Sequence, residues 1–278
     1  MTTSVDDLHK RTIMAAGALA EHASGELRGI SGLTDEEILA LVGAEDLEHF
    51  DLPWVTAREK AFPAYSRDEV RVAALRSLIV RGGVSTEQVM AAIEGREPGA
   101  AAESFTPSAL LSGILARRAL ARRALRIASP AGEPSMTLRV FIDADLSVMH
   151  ELTSQDGLHR FLMSDLDHAA DAIVARIDPE GITPVSAAPG ELVSGSWQDL
   201  EQDPTLGPLL TSAQQRCRIT LEDRQERVRS DLSVAVGEHG SVVLREADDA
   251  ATLEAVVVSA SELRELALSL LDPSGSVD

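Results

Sequence analysis

Four groups of side chains in this sequence have the types and spacing to do chemistry, and each also has a plain structural reading. Asp143 and Asp145 flank a turn, with His150 shortly after. Alternating carboxylates hold hard cations, but the glycine and glutamate of a calcium loop do not follow, so the segment reads as a solvated hairpin turn. Asp165, Asp167, His168 and Asp171 crowd the start of a predicted helix. His168 and Asp171 share a face there and would ligate a metal if another helix supplied matching residues. The simpler reading is that acidic residues favour the exposed N–H groups of a helix N-terminus. Arg117, Arg118, Arg122, Arg123 and Arg126 form the one concentrated positive run, with no acidic residue from 104 to 132. Read as one helix, the run sets Arg118 and Arg122 on a common face, able to meet a phosphate, a nucleic acid or an acidic protein tail. Aromatic residues make up 3% of the chain and none falls in this run. Stacking on bases is therefore unsupported, and a partner-facing or salt-bridging role is the expectation. Cys217 lies between Arg216 and Arg218 in a strand-like stretch. Flanking cations lower a thiol pKa, yet the setting is that of an ordinary sheet residue.

No linear signature of a zinc protease, a serine hydrolase, a phosphate-binding loop or a dinucleotide fold occurs. Ser194-Gly195-Ser196 reads as a flexible loop and not as a nucleophile elbow. A single cysteine excludes an intramolecular disulfide and any zinc site built on thiolates. No catalytic residue, metal or cofactor is expected. Residues 66–95 give two short helices parted by Gly82-Gly83, the outline of a helix-turn-helix. The second of them carries Glu87, Gln88 and Glu94 and no basic residue before Arg96, so a phosphate backbone would meet carboxylates there. A transcriptional regulator is the alternative to a protein-binding function. An enzyme whose site no linear motif reveals is the second alternative.

The 278 residues, 44% of them hydrophobic, suffice for one large core or two modest ones. A net charge of −20 repels phosphate backbones and anionic lipids, so neither nucleic acid nor membrane is favoured as a partner. The start of the chain lacks a basic then apolar leader, and no run of about 18 apolar residues occurs. A cytoplasmic protein is the expectation. Only Lys10 and Lys60 are lysines, and the bias to arginine and alanine points to a GC-rich bacterial genome.

Positioning these residues falls to elements that the apolar periods predict. Residues 5–23 have helical spacing. Capping boxes at Thr34–Glu37 and Ser66–Glu69 open two helices, and Ser85 with Gln88 opens a third that ends near Gly95. Thr106-Pro107 caps a helix running through Leu120 to Leu125. Strands follow at 137–142, 146–152 and 158–163, then a helix capped by Ser164. A connection rich in proline, glycine and serine spans 179–215, with a short helix at 197–203. Strands at 216–222, 227–236, 240–246 and 252–258 lead to a last helix capped by Ser259. The expected division is a helical region over 1–105, an α+β half over 106–179, a linker over 180–215 and a second α+β half over 216–278. Leu158 to Ser164 before one helix and Leu253 to Ser259 before the other are spaced alike, and both helices end at Asp-Pro. That predicts an internal duplication: an α+β fold of quasi-twofold duplicated antiparallel sheets flanked by helices, with a helical N-terminal region.

Three segments carry a family resemblance: Ala74 to Val84, the meander closing on the 165–177 helix, and 216–271, where Val228 to Ala235 leads to the terminal helix. Over most of 66–272 the chain resembles the EspG-like family associated with ESX, or type VII, secretion in actinobacteria. The resemblance implies a quasi-twofold α+β fold and a cytosolic chaperone that binds secretion substrates, in the better known members a helical PE–PPE pair. It transfers no catalytic residue. The chain departs from the pattern in its acidic N-terminal helical region and its short first meander. The expected function is therefore a non-enzymatic protein-binding chaperone. Its partner-binding candidates are Leu192, Val193 and Trp197, apolar residues in the long connection, together with Arg118 and Arg122.

Overall fold

The computed structural model describes residues 13–19, 27–42, 51–97, 105–129, 136–143, 146–185, 190–224, 228–247 and 252–272. In chain order the elements are α1 (13–19), β1 (Arg28–Thr34), α2 (Asp35–Val42), α3 (Pro53–Ala61), α4 (Arg67–Val80), β2 (Val84–Thr86), α5 (Glu87–Glu94), β3 (Phe105–Pro107) and α6 (Ala109–Leu120). Then come β4 (Arg123–Ala128), β5 (Thr137–Ile142), β6 (Val148–Thr153), β7 (Leu158–Ser164), α7 (Leu166–Ile177), β8 (Val193–Gly195), α8 (Trp197–Gln202) and α9 (Leu206–Ser212). The chain ends on β9 (Gln215–Asp223), β10 (Val228–Gly237), β11 (Gly240–Glu246), β12 (Leu253–Val258) and α10 (Ala260–Leu271). They fall into two units that do not follow chain order: α1 to α6 with β1, β2, β3 and β7 form one, and the remaining elements form the other.

In the first unit, local chemistry sets the helix starts. Thr34 and Glu37 each accept from the other's backbone N–H at 3.2 Å, opening α2 as the capping box predicts. Ser66 accepts from Glu69 N at the start of α4. Two caps lie one residue or more from the expected place. Thr86, not Ser85, caps α5, and Ser108, not Thr106, accepts from Leu111 N to open α6. The cause is pairing: Val84–Thr86 and Phe105–Pro107 are the antiparallel strands β2 and β3, and both helices start only where that ladder ends. The same strand occupies the turn of the expected helix-turn-helix, so α4 and α5 are joined through β2. Gly95 closes α5 at φ 66°, a left-handed conformation that suits glycine. β1, in a stretch read as helical, pairs antiparallel with β7.

The second unit is an antiparallel sheet in the order β6-β5-β4-β9-β10-β11-β12-β8. Helices α7 and α10 pack against each other over one face, where Leu125, Ile127, Leu138, Val140, Ile142, Ile219, Val234 and Val236 meet Ile173, Ile177, Leu263 and Leu271. On the other face Leu200, Leu206 and Leu210 of α8 and α9 cover Ala235, Val242, Leu244, Ala255 and Val257. The helix expected to run to Leu125 stops at Leu120. Residues 123–128 are instead β4, bonded to β5 on one side and β9 on the other, with Leu125 and Ile127 fully buried.

The duplication is present with its register moved by one residue. Asp165, not Ser164, caps α7 by accepting from His168 N, as Ser259 caps α10. The spacing that takes Asp165 to Ser259 also takes Leu138, Val140 and Ile142 to Leu232, Val234 and Val236, and Ile173 and Ile177 to Ala267 and Leu271. The halves meet in one sheet at β4 and β9. Their pair Arg126 and Thr220 exchanges with itself under this spacing, so the pseudo-twofold passes through it.

Candidate functional site

β8 is the last strand of the second unit's sheet, bonded to β12 alone among the described residues. The chain reaches it by passing tightly along β12: a Cβ on Gly190 would lie 2.8 Å from Val257 N. Val193 sits opposite Ala255 and packs against the core beneath α8 and α9. Leu192, one residue earlier, is 56% exposed, and Trp197, the first residue of α8, is 41% exposed. The start of α8 is held by a reciprocal capping box in which Asp199 N donates to Ser196 Oγ and Ser196 N donates to Asp199. The two bonds that Ser196 donates to the carboxyl, from Oγ and from N, hold Asp199 below its ordinary range. Leu200 pins α8 to the sheet, which frees Trp197 from that task. Glu191, Gln198 and Glu201 are exposed nearby in sequence. The three apolar candidates are thus on one short edge segment, two turned out and one turned in. A strand edge with an exposed leucine and tryptophan and an acidic fringe is suited to docking another chain.

The arginine candidates do not form a patch. Arg117 and Arg118 are buried in α6, and Arg117 donates to Ala16 O at 2.8 Å and 3.0 Å. Arg122 is exposed but lies beyond the end of the helix, and Arg123 pairs with Asp223 at 2.7 Å. The common helical face expected for Arg118 and Arg122 does not exist, because β4 begins at 123.

The acidic and histidine groups take structural roles. Asp165 is the α7 cap, and Asp167 and Asp171 both bind Arg264 of α10. Asp143 N donates to Ser147 O across the β5–β6 turn, and Asp145 lies outside the described residues. His150 is buried and shares a hydrogen bond of 2.8 Å with Ser164 Oγ. Burial pushes the Cys217 thiol up to about 11, the reverse of an activated nucleophile.

One arrangement that looks catalytic was not legible in the sequence. In the first unit Thr153 Oγ1 meets His159 Nδ1 at 3.1 Å, and His159 Nε2 meets Asp35 at 2.6 Å. Asp35 also accepts from Trp54 N and Val55 N at the start of α3. His159 and Asp35 are both fully buried, so no substrate reaches the hydroxyl, and the group ties β7, α2 and α3 together. A second feature missed by sequence is α5, which buries only Ala91 and turns Val89, Met90 and Ile93 outward. Arg96 binds both Glu87 and Glu94 on its charged side. Among the described residues no cluster is placed to hold a metal ion, and no helix is long and apolar enough to cross a membrane.

The class these features define is a doubled α+β fold with apolar side chains exposed beside a strand edge. No family model and no curated protein matches the chain. Among solved structures it is similar to that of the Mycobacterium tuberculosis type VII secretion system chaperone EspG5 in complex with the PE25–PPE41 dimer. The TM-score is 0.50 at 10% identity, covering 87% of this chain and 95% of the other. At that identity the likeness is one of fold.

Proposed function

We propose that this protein is a non-enzymatic, cytosolic chaperone that binds and shields a helical substrate of type VII secretion. The observation that carries this reading is the likeness of fold, along nearly the whole of both chains, to a chaperone of that system seen with a protein dimer. The exposed Leu192 and Trp197 beside β8 support it, since an aromatic anchor on a desolvated strand edge is how a partner's apolar tip is captured. The acidic fringe supplies a polar rim that limits association with the wrong chain.

Isolation of the tagged protein from its native cytosol tests this. A stoichiometric, salt-resistant protein partner is expected, lost on Trp197→Ala and on Leu192→Asp while circular dichroism stays unchanged. Recovery of nucleic acid or a small molecule with no protein partner would overturn the reading. Retention of the partner by both variants would overturn its placement at β8.

A further inference from the structure

In the first unit, β1 is bonded to β7 alone among the described residues. Its other side has no strand partner among the described residues, which makes it an edge with backbone donors and acceptors open to pairing. A cavity of about 340 Å³ opens beside β1, against Ser31, Gly32 and Leu33. Its floor is apolar: Leu33, Leu78 and Leu111 are buried, and Leu110 stands half-exposed at the rim. Gly83 completes the floor, because a Cβ there would lie 3.1 Å from Leu111 and 3.4 Å from Leu78. Arg81 also lines the cavity. Its guanidinium is about half exposed, and one of its N–H groups donates to Glu37 at 2.6 Å. Glu37 is itself held by Ser77 Oγ and Thr34 N, and its bond to Arg81 takes one of the five guanidinium N–H groups. The first turn of α6, at the cavity wall, carries no acidic residue. The guanidinium is paired with Glu37, so what it offers a second acceptor is its remaining N–H donors rather than an unbalanced positive charge.

From this juxtaposition we infer that the β1 edge is a peptide-binding groove: an extended segment of a partner protein adds as a strand to β1, sets an apolar side chain on the leucine floor and an acidic side chain at Arg81. Three observations select this occupant. The unpaired strand edge asks for main-chain hydrogen bonds, which an extended segment supplies and a packed helix does not. The volume is at the low end for a small-molecule pocket and suits a few side chains. The N–H donors of Arg81 that Glu37 does not take match a carboxylate acceptor. The groove belongs to a different unit from the β8 edge, so it stands or falls separately from the chaperone reading.

The probe is a fluorescein-labelled octapeptide of alternating threonine and valine, with leucine at its fourth position and glutamate at its sixth. Two controls accompany it, one with glutamine for the glutamate and one with proline at the fifth position, which cannot complete a ladder. Titration into the full-length protein, followed by anisotropy and by hydrogen exchange, is expected to show saturable binding with slowed exchange within 28–34. The proline peptide should not bind. Arg81→Gln should weaken the glutamate peptide about tenfold and leave the glutamine peptide unchanged, the scale of one charge-assisted hydrogen bond. Leu110→Asp, at the exposed rim, should weaken both. No saturable binding, equal binding of the proline peptide, or no protection within 28–34 would overturn the inference. Because the probe is synthetic, either result leaves capture of a native substrate at β8 to its own experiment.

Discussion

His150 shows how burial alone sets the behaviour of a titratable side chain. It is buried in the second unit and shares a hydrogen bond with Ser164 Oγ, and burial lowers its pKa from 6.5 to about 4. The imidazole is therefore neutral in the folded protein at pH values where the unfolded chain carries a proton. Its contribution to stability is complete above pH 6.5 and is lost as pH falls toward 4, a total of about 3 kcal/mol. His150→Leu should remove this dependence at little cost to Ser164, whose hydroxyl also donates to Asp165 O. Urea unfolding at about pH 7 and about pH 4.5 is the measurement. The variant should lose about 2 kcal/mol less than the parent chain between the two, and equal losses would show that the imidazole does not titrate in this way.

At the scale of elements, caps and strand pairing compete for the same residues. Ser164 and Asp165 are adjacent polar residues before α7, and either has the chemistry of a cap. The fold assigns Ser164 to the end of β7 and to His150, which leaves Asp165 to accept from His168 N. Asp165→Ala and Ser259→Ala should each cost about 1 kcal/mol, as removal of a helix cap does. In the His150→Leu background, where Ser164 has no buried imidazole to partner, Ser164→Ala should cost less, because it takes no acceptor from the helix. Chemical denaturation of the three variants decides the matter: a Ser164 cost above that of Asp165 would restore the earlier register and break the correspondence with Ser259. The same competition explains why α5 and α6 start late. Ser85 and Thr106 face each other in the β2–β3 ladder and are spent there.

For the whole molecule the dominant property is charge. Forty-five acidic residues face 25 basic ones, and the net charge of −20 is present in every fold the chain adopts. Ion pairs such as Arg264 with Asp167 and Asp171, or Arg123 with Asp223, relieve it locally. The remaining negative charge repels itself most in the compact state. Raising salt from about 10 mM to about 300 mM shortens the screening length from tens of ångströms to a few, so the melting temperature should rise. A fall would mean that the exposed ion pairs outweigh the repulsion.

Elements whose signals are local could be read from the order of residues. Residues 137–142 and 240–246 are strands at the expected bounds, and Ser259 opens the final helix. The duplication was legible because both copies keep apolar residues at matched positions along strand and helix. Trp197 and Leu192 stood out because apolar residues in a polar connection have no local reason to be there, and both are exposed. Tertiary structure alone decided the rest. Arg123 to Ala128 suits a helix or a strand, and pairing with β5 and β9 selects the strand. That choice breaks up the arginine run and joins two expected sheets into one. Asp35 and His159 are 124 positions apart, and no short-range pattern encodes their contact. The groove beside β1 is of the same kind: β1, the turn after α4 and the start of α6 become its walls only when the chain brings distant segments together. Hydrogen bonds within a turn of helix are read from neighbours in sequence, whereas strand partners and cavities depend on neighbours in space.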